Sequence, residues 1–202
     1  SCSSDGSISR SDNYEAKIYP DYKDVTIPVN IAPLNYHYAM KGVRSAVTTF
    51  TIGDKSITMR GTQVEWNLRK WKNFIADAAG KTIEVSAVVK ADGKKVEDSW
   101  KIYVSGEKVD SYLTYRLIEP AFQMWDEVSI QERNVENFDE VAICDYKHVD
   151  NSCMNCHIHG NSPGNLSMFY IRGPKGGSIL NRDGKLRKLN LKADGMLSGT
   201  VY

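Results

Sequence analysis

This 202-residue sequence has no apolar run of about eighteen residues, which excludes a membrane-crossing helix. It also lacks an excess of either charge. With 26 Lys+Arg against 25 Asp+Glu, the chain as a whole has no attraction for nucleic acid or an anionic membrane surface. The usual catalytic signatures are absent too: there is no phosphate-cradling glycine loop with its lysine, no HExxH pair and no nucleophile elbow. Gly173-Pro174-Lys175-Gly176-Gly177 shares only composition with a phosphate loop. A Cys–His hydrolase would need a thiol activated by His148 or His159 and a third, orienting group, and the spacing supplies none. The sequence therefore reads as non-catalytic.

Cysteine and histidine are scarce, at four each, yet three of these residues fall within five positions: Cys153-Met154-Asn155-Cys156-His157. CxxCH is the pattern of covalent haem c attachment, in which both thiols add across the haem vinyl groups and the following histidine becomes an axial iron ligand. Other readings use the same residues. Cys153 and Cys156 could form a short-loop disulfide or a redox dithiol. Cys144, Cys153 and Cys156 with His157 or His159 make a Cys3His set of zinc-ligand types. The residues could also bind nothing. If haem is bound, His159 is too close in sequence to His157 to reach the opposite face of the iron, which leaves Met168, His148 and Met196 as distal candidates.

The first twelve residues, SCSSDGSISRSD, are too polar to offset their ordering entropy and are expected to form a tether within residues 1–17. Cys2 before such a Ser/Gly/Asp-rich linker is the pattern of a processed bacterial lipoprotein. It predicts a lipid anchor at Cys2 and a location in the cell envelope, where disulfides persist. Membrane contact would then come through the lipid alone.

Residues 18–105 read as a β-sandwich of the immunoglobulin or fibronectin kind. Val25, Ile27, Val29 and Ile31 alternate with mostly polar neighbours, and residues 47–52 and 56–59 flank a Gly53-Asp54 turn. The spacing predicts one helix over 67–79, capped by Asn67 and ended by Gly80. A hairpin follows, with Ile83, Val85, Ala87 and Val89 returning as Trp100, Ile102 and Val104 around an Ala91-Asp92-Gly93 turn.

Residues 105–108 mark the expected domain boundary, and 106–202 read as a second β-rich module. Its strands are expected at 112–118, 128–131, 140–145, 166–172, 178–180 and 186–191, the last three forming a meander like a propeller blade. The cysteine motif is expected in a long loop over about 146–165, long enough to need a function or a clamp. Seven bases between Arg172 and Lys192 form a positive run that could meet haem propionates or an anionic partner.

Five phrases carry a family resemblance: IYPDYK at 18–23, IAPLN at 31–35, YLTYRLIEP at 112–120, CMNCH at 153–157 and GPKGG at 173–177. Together they resemble the envelope lipoproteins of Gram-negative gut anaerobes described as TolB-like or cytochrome c biosynthesis-related. The resemblance implies a TolB-like β-propeller after this region, with the chain ending where that propeller would begin. It carries over Cys153 and Cys156 as thioether donors and His157 as proximal ligand if haem is present. Two functions follow as expectations: a non-catalytic envelope lipoprotein region that binds or scaffolds an envelope partner, or a c-type haem module that passes electrons to a redox partner.

Overall fold

The chain is mainly β. The computed structural model describes residues 15–118, 128–160, 165–172 and 176–189, with Asn155 and Cys156 described by backbone. In chain order its elements are β1 (Ile18–Tyr19), β2 (Val25–Ile27), β3 (Tyr36–Tyr38), β4 (Val43–Ile52), β5 (Lys55–Arg60), β6 (Gln63–Val64), α1 (Leu68–Ile75), β7 (Thr82–Ala91), β8 (Lys94–Val104), β9 (Tyr112–Leu117), β10 (Ser129–Asn134), β11 (Glu140–Asp145), a 3-10 turn (Tyr146–Val149), β12 (Met154–His159), β13 (Leu166–Ile171), β14 (Gly177–Arg182) and β15 (Lys185–Leu189). It divides into two compact units, 1–109 and 110–202.

In the first unit a five-stranded sheet, β2-β8-β7-β4-β5, and a three-stranded sheet, β1-β3-β6, contribute to one hydrophobic core. The period-two pattern read in β7 and β8 is the burial pattern observed, with Ile83, Val85, Ala87 and Val89 facing Trp100 and Ile102 inside. Their turn is made by Asp92 and Gly93, both at positive φ, the geometry that matches the twist of a two-residue hairpin. Gly42 has a separate constraint. It sits at φ +65, and a Cβ there would lie 1.9 Å from Asp92 Oδ1.

Helix α1 starts where expected, because the Asn67 side chain accepts from the Arg69 and Lys70 amides at 3.0 and 3.2 Å. It stops at Ile75, four residues before the predicted end. The chain must leave the helix to join the sheet: Ala78 N donates to Ile75 O, and Gly80 N donates to Val104 O. Trp71, Phe74 and Ile75 still bury the predicted face, and Trp66 packs at 5.0 Å centroid distance against both Phe50 and Trp71. Asn30 ties the end of this unit by two bonds to the Val109 backbone, at 2.9 and 3.1 Å.

The second unit has two antiparallel sheets, β11-β10-β9 and the meander β12-β13-β14-β15. Here one expectation is corrected. The CMNCH motif does not lie in a loop: residues 154–159 form β12, paired along β13. What sequence reads as a 20-residue irregular connection contains a 3-10 turn and a strand. Main-chain bonds close it, Gly160 N to Leu166 O at 2.7 Å and Arg172 N to Cys153 O at 2.8 Å.

Candidate functional site

The site begins where β11 ends. Asp145 caps the 3-10 turn, accepting from the His148 amide at 3.1 Å, while its Oδ1 stands 2.8 Å from His148 Nδ1. The Asp145 amide lies 3.4 Å from the same ring nitrogen and is the weaker neighbour. Partial burial pushes the Asp145 carboxyl up, but the His148 amide and the adjacent imidazole outweigh it, and the group sits below its ordinary value. Asp150 and Asn151, both at φ 54, then reverse the chain into β12. Short polar side chains tolerate that left-handed conformation better than others.

Two β-bulges aim the residues that follow. Along β12, Asn155 pairs with Tyr170 but His157 pairs with Phe169, so Cys156 is the extra residue. Without it, His157 would stand on the face opposite Met154. With it, Met154, His157 and His159 share one face. In β11, Ile130 pairs with Cys144 and Gln131 with Ala142, which leaves Ile143 as the second bulge.

Cross-strand rows then define the wall. His157, Phe169, Ile179 and Lys188 form one row, and His159, Ser167, Asn181 and Leu186 the next. Together with Ile130, Ile143, Cys144 and His148 they line a mostly apolar cleft of about 470 Å³, within the size range of small-molecule sites. Among the described lining residues none is acidic.

The polar groups in this cleft are partly oriented and partly unmet. His157 Nε2 lies 3.3 Å from the Thr114 carbonyl. Asn181 Nδ2 donates to Ser167 Oγ at 3.3 Å, while its Oδ1 is buried without a hydrogen-bond partner among the described residues. Rotating the amide would only exchange which of its two polar atoms is unmet. Burial, helped by the Asp145 charge, raises the Cys144 thiol above its ordinary value, so this cysteine is a neutral thiol rather than a ready nucleophile.

The structure thus brings Cys144, His148, His157, His159 and Met168 to one cleft. Register separates Met168 from the histidines. It stands in a row with Ile158, Leu180 and Arg187, on the opposite face of the sheet from His157. Cys153 is not among the lining residues. It precedes β12, half-buried, with Sγ 3.8 Å from Met154 O, and both Cys153 and Cys144 carry free thiols. Cys2 and Met196 lie outside the described residues.

The extended motif bears directly on the cysteine readings. Three strand residues separate the Cα atoms of Cys153 and Cys156 by roughly 10 Å, beyond the ~7 Å reach of a disulfide. Alternation also directs Cys153 away from the face that carries His157. Haem c needs both thiols and the imidazole on one porphyrin, so it does not fit the motif as folded here. Among the described residues, no three His, Cys, Asp or Glu side chains are grouped to hold an ion as they stand.

Sequence reasoning did not single out Asn181, Ser167 or Thr114. Asn181 had a signal: a polar residue directly after Ile179-Leu180 in a strand otherwise able to bury its side chains. Comparison with protein-family models, with curated proteins and with solved structures gives no match.

Proposed function

We propose that the chain is a non-catalytic binding region of a cell-envelope lipoprotein, and that its second unit holds a small, largely apolar ligand in the cleft. The observation that carries this reading is the cleft's lining: an apolar wall with a few convergent polar groups, His148, His157, His159 and the unmet Asn181 amide. Apolar side chains supply most of the burial, and the unmet amide would select a ligand with a complementary hydrogen-bonding group. The envelope location rests on Cys2 and the polar segment after it, and the partner would be another envelope protein. The TolB-like resemblance agrees with that location and with a β-rich architecture.

The second reading, a haem c module, is favoured by one observation, the His157 imidazole on the cleft wall. It requires residues 153–157 to leave the β12 ladder. Native and denaturing mass spectrometry of protein recovered from an envelope with haem c maturation distinguishes the two. The binding reading expects an adduct that is lost on denaturation and no Soret band. A haem mass that survives denaturation, absent from a Cys153→Ala/Cys156→Ala variant, would replace it with the haem reading.

A further inference from the structure

We propose that the ligand of this cleft is a small carboxylic acid with an apolar body, its carboxylate held at the β15 edge by Lys188 and the Asn181 amide. The inference rests on the reading of the cleft as a binding site and names the chemical class it takes.

Charge sets that class. The wall carries two cations, Arg187 and Lys188, and none of its described lining residues is acidic. Asp145 and Asp183, in turns of the same unit, are engaged elsewhere: Asp145 with His148, and Asp183 Oδ1 as acceptor from Asn165 Nδ2 at 2.6 Å. An anion entering the cleft is therefore attracted by its wall, and a cation is repelled.

Register decides which cation faces the ligand. Lys188 stands in the row of His157, Phe169 and Ile179, whereas Arg187 belongs to the opposite face of the sheet and borders the cleft from its edge strand. Gly177 shows where the Lys188 stem runs. A Cβ on that glycine would lie 2.8 Å from Lys188 Cε, so the methylenes pass along the β14 backbone while the side chain keeps an exposed end.

Asn181 supplies the second group. It pairs with Leu186, two residues before Lys188, so Asn181 and Lys188 are diagonal neighbours on one face with Cα atoms roughly 7–8 Å apart. With the amide rotated, its oxygen accepts from the Ser167 hydroxyl, and the NH2 group takes the place of the unmet acceptor and donates to a carboxylate oxygen. Ammonium and amide then both donate to the ligand, one of them through a charge-assisted bond.

The rest of the wall sets the rest of the ligand. From Lys188 to His157 the row crosses three strand spacings, roughly 14 Å, with Ile179 and Phe169 between. An apolar body laid from the β15 edge toward β12 covers those side chains and removes them from water.

The test is calorimetric titration of the full chain with three probes that share one body and differ in the head: octanoate, 1-octanol and octylammonium. One octanoate per chain is expected, bound at least about fivefold more tightly than octanol, with octylammonium weaker than octanol. Lys188→Gln should reduce octanoate to the octanol affinity, leave octanol unchanged and hold the melting temperature, and Lys188→Arg should keep the preference. Asn181→Leu retains the bulk but removes the donors, and should reduce the preference too. Lys185→Gln removes the same charge from the opposite face of the same strand, and the preference should stay as in the wild type.

Octanol bound as tightly as octanoate, a preference for octylammonium, or an octanoate preference that survives Lys188→Gln would overturn the assignment. Where octanol still binds, only the acid assignment falls. If a folded chain binds none of the three probes, the assignment is overturned, and the cleft reading falls with it only when native mass spectra also show no adduct.

Discussion

Asp145 is the residue on which most of the local geometry depends. It ends β11, caps the 3-10 turn and fixes the ring of His148. Its carboxyl is held below its ordinary value, so the sign of its pH dependence is set: the carboxylate contributes stability above the ordinary Asp range, and that contribution is lost as pH falls through the lowered folded value. In an acid titration followed by NMR, the His148 amide should keep its native shift through the ordinary Asp range and lose it only at lower pH. A midpoint at the ordinary Asp value would show that the cap does not hold the carboxylate. Cys144 runs the other way. Its raised value means that any contribution is complete below the ordinary thiol range and is lost as pH rises above it.

At the scale of elements, β12 decides how the cysteine motif is read. Pairing with β13 stretches the motif, so oxidation of the purified chain followed by peptide mapping should show no Cys153–Cys156 crosslink. A two-proton deficit on that peptide would mean that the motif leaves the ladder. The sequence hid this strand for a physical reason. Met154, Asn155, Cys156, His157, Ile158 and His159 show no clean alternation, because the extra residue at Cys156 shifts the period midway, and the flanking Asn, Ser, Gly and Pro residues read as loop punctuation. Where alternation is unbroken, as in β7 and β8, pattern and structure agree residue by residue. The start of α1 was legible because Asn67 is a local signal. Its end was not, since the sheet pulls residues 76–80 into turns.

The two units of the whole molecule differ in how they use their apolar residues. The first encloses a core of large side chains, including Trp66, Trp71, Trp100 and Phe50. The second keeps Phe169, Ile171 and Ile179 only partly covered, along a cleft that also holds three of the four histidines. Candidate residues such as His157 and Cys144 could be named from sequence because their types are rare and chemically distinctive. Their meeting in one place, and the exclusion of Cys153 from it, depend on two bulges and a strand register that only the fold supplies.

The most direct test of the account is to fill that cleft. Ile179→Trp adds bulk at the centre of its wall and leaves the pairing of β14 intact. A non-covalent adduct is expected in native mass spectra of the wild-type protein and its loss in Ile179→Trp, while the melting temperature moves by no more than a few degrees. An adduct retained at wild-type occupancy by a folded Ile179→Trp protein would contradict it and place binding elsewhere in the chain.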